Sequence, residues 1–294
     1  MQNNNSILAL INLMDDPDES IYTHVRDQLL QYGPDAIPYL ESSWEHEDYG
    51  LLFQDRVENL VHEIQFEANK ESLKKWLDSD DKDLLEGAII IAKTQYPGMD
   101  VELLNNELDK IQRDVWLEIN DNQTAMEKVR IFNKVFFNFY HFQGNTKKFH
   151  SPLNSYINVV LESKKGNPLS LSIVYSIIAQ RLEMPVYGVN LPNQFILAYM
   201  DEFAIKQFLP DNNGLGVLFY INTFAKGSVF DENEIKEFLD SLKLSHKREY
   251  FEPCSNSTII KRMLTNLIAS FQQVGNAEKV DELIQLRDLI EKQN

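Results

Sequence analysis

The chain has 294 residues, 43% hydrophobic and 25% charged, a balance that excludes an intrinsically disordered protein and is enough for one large domain or two. Its net charge of −17 is unevenly placed, with 26 acidic and 9 basic side chains over 1–120 and 19 of each over 121–294, which argues against nucleic-acid binding by the acidic part. The longest purely apolar run, AIIIA at 88–92, is far below the ~20 residues of a membrane span.

The opening stretch MQNNNSILAL has no basic segment ahead of an apolar one, so no signal peptide is expected. A single cysteine, Cys254, leaves no internal disulfide and fits a reducing compartment, so a cytoplasmic location is expected. The acidic N-terminal part reads as a solvated, solubilising surface, with docking of a basic partner as the sharper alternative.

The first third is predicted all-helical. Residues 6–45 give helix, an Asp-Pro turn, helix, a Gly-Pro break and helix, resembling one HEAT-type unit. Ile21, Val25, Leu29 and Leu30 share one face, as do Ile37, Leu40 and Trp44. Further helices are predicted at 50–66, 70–77, 80–95, 100–117 and 123–140.

The texture changes after 145. In KKGNPLSLSIVYSIIAQRL (164–182), Asn167 can N-cap a helix and Pro168 suits its first position, because the missing N–H would be unpaired there anyway. Leu169, Leu171, Ile173, Val174, Ile177, Ile178 and Leu182 spread apolar surface around too much of that helix for an outside position. Strands are predicted at 185–191, 194–200, 203–208 and 216–222, separated by turn residues, then a helix at 231–242. Two more helices within 255–293, broken at Gly275-Asn276, form a hairpin of TPR-like size. The expected fold class is α+β, mainly α, with a helical region at 1–118, a mixed core at 119–245 and a helical hairpin at 246–294.

Residues 142–192, FQGNTKKFHSPLNSYINVVLESKKGNPLSLSIVYSIIAQRLEMPVYGVNLP, resemble the core of the bacterial SirB-type transglutaminase-like proteins. The matching residues are Gly144, Asn145, Asn154, Ser155, Tyr156, Val160, Leu161, Glu162, Gly166, Pro168, Leu171, Pro185, Gly188, Val189 and Phe195. Glu183 departs from the pattern, which prefers glycine. The resemblance spans roughly 80–290 and implies a papain-like core with a central helix and an antiparallel sheet.

It also implies where a Cys-His-Asp triad would fall. The cysteine would open the central helix, where dipole and imidazolium lower its pKa, and histidine and acid would follow on neighbouring strands. Here the cysteine slot reads Pro168-Leu169-Ser170, the histidine slot is Gln194 and the acidic slot Asn222. An amide cannot act as a base at neutral pH, and a serine without one stays protonated and weak. The degenerate cleft is therefore expected to bind or scaffold a protein or peptide. The alternative is a hydrolase or acyltransferase working through Ser170 or Cys254 with an unrecognised base.

A second alternative is a sensor of small anions or acidic peptides. Lys164, Lys165, Asn167 and Lys226 are its candidate binding residues, clustered by the resemblance near the helix entrance. The six histidines are scattered, with no Cys pair and no H-E-x-x-H, so no metal site is expected. Nucleotide-binding glycine motifs are missing too, and no cofactor is expected.

Overall fold

The computed structural model describes residues 2–44, 50–201 and 215–293. The predicted strand at 203–208 and His46 lie outside the described residues. The chain divides into two compact units, Met1–Lys75 and Trp76–Asn294.

The first unit contains α1 (Gln2–Asn12), α2 (Glu19–Tyr32), α3 (Ile37–Trp44) and most of α4 (Leu51–Asp78). Asp18 caps α2 by accepting the Ser20 N–H, and Gly33 at φ +59 ends it, a conformation that costs glycine little. Ile7, Ile11, Met14, Val25, Leu29, Leu40, Phe53, Val57 and Leu60 form its core. Ile21 and Trp44, expected on the buried faces, are exposed. The two helices predicted at 50–66 and 70–77 are one, because the residues between them include no proline or glycine to break it. Arg56 is buried, donating to the Met14 and Asp16 carbonyls at 2.8 and 2.7 Å and pairing with Glu19 at 2.7 Å.

The second unit is built around α9 (Pro168–Arg181). Every residue from Leu169 to Ala179 is buried, so its three serines need internal partners. Ser172 Oγ lies 2.8 Å from Thr223 Oγ1, and Ser176 donates to the Val186 carbonyl at 3.0 Å. Helices α5 (Leu84–Lys93), α6 (Val101–Trp116) and α8 (Ile157–Ser163) pack against α9. α7 (Ala125–Asn133) runs into a wider π-helical stretch, Lys134–Phe139.

A short parallel pair, β1 (Gln143–Gly144) and β2 (Lys165–Gly166), ties the loop before α8 to the entrance of α9. The main sheet is antiparallel in the order β3 (Val186–Val189), β4 (Ile196–Met200), β5 (Val217–Asn222), β6 (Ser228–Phe230). Leu197 faces Ile221 and Val186 faces Tyr199 across it. β6 was not expected, since three residues carry no readable alternation.

After α10 (Glu232–Ser241), α11 (Asn256–Val274) and α12 (Ala277–Gln293) form the closing hairpin, turning at Gly275 with φ +76. The fold is thus mainly helical with a small antiparallel sheet, an α+β arrangement. The Asn256 side chain donates to the Lys82 carbonyl at 2.9 Å, and Lys279, paired with Glu282 at 2.9 Å, donates to the Thr94 carbonyl. These contacts tie the closing hairpin to residues 76–118. Among the described residues, no helix is long and apolar enough to cross a membrane.

Candidate functional site

The entrance of α9 is closed by reciprocal bonds. The Asn167 side chain accepts the Ser170 N–H at 2.9 Å, and Ser170 Oγ accepts the Asn167 N–H at 3.0 Å. Ser170 then donates its proton to the Asn154 carbonyl at 2.5 Å, and Asn167 donates to Ser155 Oγ at 3.0 Å. Both Ser170 and Asn167 are buried. A Cβ on Gly166 would lie 2.5 Å from Ser170 Oγ, so only glycine lets the preceding strand come this close.

Asn154 is the hub of the network. Its side chain accepts from Asn145 at 2.8 Å and donates to the Lys148 and Phe149 carbonyls at 2.6 and 2.9 Å. The sequence signature Gly-Asn, Asn-Ser-Tyr, Gly-Asn-Pro is therefore a set of braces that fixes the helix start and the loop beside it.

Next to this brace opens a cleft of about 180 Å³. Asn167, Pro168 and Leu169 form its floor, Asn193, Gln194 and Phe195 one wall, Phe149 and His150 another, and Arg262, Asn266, Ala269, Ser270 and Gln273 the third. The last five lie at helical spacing on one face of α11. That helix is seated by Gly188, where a Cβ would meet the Phe195 ring at 2.6 Å and Ile259 at 3.0 Å. Gln194 stands in a turn, its N–H donating to the Leu191 carbonyl at 3.2 Å, and Asn193 beside it has φ +59.

Of the residues singled out from sequence, Pro168, Leu169, Asn167 and Gln194 line this cleft. Asn222 does not: its side chain accepts the Ala225 N–H at 3.1 Å and caps a helical turn beyond β5. Lys164 does not either. Its ammonium pairs with Glu107 at 3.4 Å, lies 5.0 Å from the Phe142 ring, and faces a separate cavity of about 560 Å³ with Leu103, Leu104 and Glu162. Burial pushes its pKa down. Lys165 and Lys226 are exposed and line neither cavity.

Cys254 is outside the cleft, its N–H bonded to the Gly188 carbonyl at 2.8 Å. Burial pushes its thiol up to about 11, the opposite of an activated cysteine. Ser270 is the hydroxyl that lines the cleft, and among the described residues no hydrogen bond joins it to His150. Arg262 Nη1 donates to Asn190 Oδ1 at 2.9 Å, and burial lowers the guanidinium's pKa. Arg262, Asn193, Asn266 and Gln273 were not foreseen. Their signal in the sequence is a polar stripe, 262, 266, 270 and 273, along a helix whose other face is Ile259, Ile260, Met263, Leu264 and Leu267. Among the described residues, no group of three or more His, Cys, Asp or Glu side chains gathers to hold a metal ion.

A central helix opening on a cleft, with an antiparallel sheet beside it, is the arrangement expected of a transglutaminase-like core. The family model for the transglutaminase-like superfamily matches residues 102–265, more than half of the chain, and the protein belongs to that superfamily. Among its relatives, a UPF0162 protein of Xylella fastidiosa is 26% identical over 225 residues, covering 74% of this chain and 73% of the relative. A UPF0162 protein of Vibrio cholerae is 25% identical over 195 residues, 65% of this chain and 67% of its own. Human F-box only protein 21 is 24% identical over 262 residues, 80% of this chain but 40% of the longer human protein. No solved structure gives a significant match.

Proposed function

We propose that this protein is a non-catalytic member of its superfamily, a binding or scaffolding module that holds a segment of a protein or peptide in the cleft at the start of α9. The observation that carries this reading is the state of Ser170. It is the one hydroxyl in the triad slots, and it is buried with its proton committed to the Asn154 carbonyl. A nucleophile needs an exposed oxygen and a base to take its proton, and this serine has neither.

The cleft's lining supports the binding side of the proposal. Among the described residues, the side-chain amides of Asn193, Gln194, Asn266 and Gln273 make no hydrogen bond within the protein. Each offers both a donor and an acceptor, which is what a peptide group requires. The volume of about 180 Å³ is below the ~300–1,000 Å³ of pockets that enclose drug-sized molecules, so it suits one or two residues of a longer chain. A hydrolase or acyltransferase using Ser170 or Cys254 draws no support from their surroundings.

The test is an NMR titration of the full chain with a pool of end-blocked heptapeptides of mixed sequence. Shifts converging on the side-chain amides of Gln194, Asn193, Asn266 and Gln273, with every peptide mass unchanged, are expected. Peptide cleavage or acyl exchange in the mixture, or shifts confined to other surfaces, would overturn the proposal.

A further inference from the structure

The cleft carries one full charge that the binding reading does not use. Arg262 has Asn190 Oδ1 as its hydrogen-bond acceptor, through Nη1, which leaves Nε and Nη2 without a protein acceptor among the described residues. No carboxylate among them lies within 4 Å of it, whereas Arg26, Arg56, Arg181 and Arg248 each have one. Among the described residues Arg130 shows no such pair either, but it is exposed, whereas Arg262 is half-buried and lines the cleft. None of the residues lining the cleft is Asp or Glu. In an acid-rich chain, the cleft that holds this half-buried arginine is lined by no acid.

The floor points the same way. At the start of α9, Pro168 has no N–H, that of Ser170 goes to the Asn167 side chain and that of Leu171 to the Asn167 carbonyl. The remaining first-turn donor, Leu169 N–H, belongs to a residue that lines the cleft. A planar guanidinium fork with its Nε–Nη2 edge free, free amide donors beside it and no acid lining the cleft is the donor set that receives a carboxylate.

We infer that the cleft recognises a carboxylate-bearing peptide segment, with Arg262 as its anchor. This rests on the binding reading above and specifies its ligand. It also relocates the anion site considered from sequence, from the lysines of the loops to a residue of α11. Two sources present the same chemistry, a chain's C-terminal carboxylate and an Asp or Glu side chain.

Three blocked tripeptides separate the possibilities: N-acetyl-Ala-Ala-Ala as the free acid, the same peptide as its amide, and N-acetyl-Ala-Glu-Ala amide. Each is titrated into the full-length protein while the Arg262 Nε–H resonance is followed by NMR. A saturable shift with the free acid alone assigns a C-terminus, and one with the Glu peptide assigns a side chain. Either supports the inference if Arg262→Gln weakens binding about tenfold or more, the range of a charge-assisted bond, with an unchanged melting temperature. Arg262→Lys, which keeps the charge but loses the fork, is expected to retain part of the binding and guards against a folding defect. Equal binding of the neutral amide, with shifts at Gln194 and Asn266, would overturn the carboxylate while leaving the cleft as a peptide site. Silence from all three peptides would overturn it outright.

Discussion

Ser170 hands its hydroxyl proton to the carbonyl of Asn154 at 2.5 Å, across sixteen positions of chain. The first turn of the central helix is thus bolted to the loop that forms one wall of the cleft. Where the resemblance places a nucleophile, this turn carries a brace. Stability, and not chemistry, is what substitutions at this point should change.

Replacing Ser170 by alanine removes two buried hydrogen bonds and leaves the Asn167 N–H and the Asn154 carbonyl with only each other, at 3.4 Å. Urea denaturation should show a loss of about 1–3 kcal/mol. Binding at the cleft should survive, at a temperature where the variant is folded. An unchanged denaturation midpoint would mean the brace carries no load.

Gly188→Ala places a methyl group 2.6 Å from the Phe195 ring and 3.0 Å from Ile259, between the sheet and α11. Overpacking of this kind costs about 1–3 kcal/mol, and relief can come only by moving Phe195, a wall of the cleft. Lower thermal stability together with weakened peptide binding is expected, both measurable on the same sample.

The raised thiol of Cys254 has a pH signature. With a folded pKa of about 11 against an ordinary 9.0, the folded protein keeps its proton while the unfolded chain loses it. The unfolded state then binds fewer protons, so stability falls as pH rises between about 9 and about 11, and not below that window. Native alkylation by iodoacetamide should be slow at pH 8, where about one thiol in a thousand is ionised, and should accelerate up to about pH 11. Rapid stoichiometric alkylation of native protein at pH 7 would contradict the burial.

Lys279 and Glu282 are both buried, with the ammonium reaching the Thr94 carbonyl at the end of α5. Lys279→Ala removes the cation paired with the buried Glu282 carboxylate, and calorimetry or urea titration should show a loss of about 3–5 kcal/mol. Replacing both members with Met and Leu should recover much of that loss, since the pair's desolvation cost disappears with it.

The legible parts of this protein were those with a periodic pattern or strong punctuation. Asn167-Pro168 and the apolar spread after it announced a buried central helix, and Gly275-Asn276 announced the turn of the closing hairpin. Short β-type runs between turn residues gave β3, β4 and β5, whereas β6 is three residues long and is created by pairing with β5. The unit boundary was hidden because it falls within an unbroken helix, at Lys75. Contacts such as Asn256 with Lys82, far apart in sequence, decide which segments share a body.

The candidate site was half legible. Pro168, Leu169 and Gln194 follow from the order of the motif along the chain. Arg262 does not, because it lies 72 positions from its Asn190 acceptor and on a helix outside the motif. Proximity in sequence says nothing of side-chain direction. Lys164 adopts φ +56 at the end of α8, and its ammonium pairs with Glu107.

The central claim, that the entrance of α9 binds without reacting, is tested most directly by intact-protein mass spectrometry after exposure to a fluorophosphonate and to a peptidyl vinyl sulfone at pH 7.5. The account predicts an unchanged mass with both reagents under conditions that label an active serine or cysteine enzyme completely. A single stoichiometric adduct on a residue of the cleft, abolished by substituting that residue in a folded variant, would contradict it.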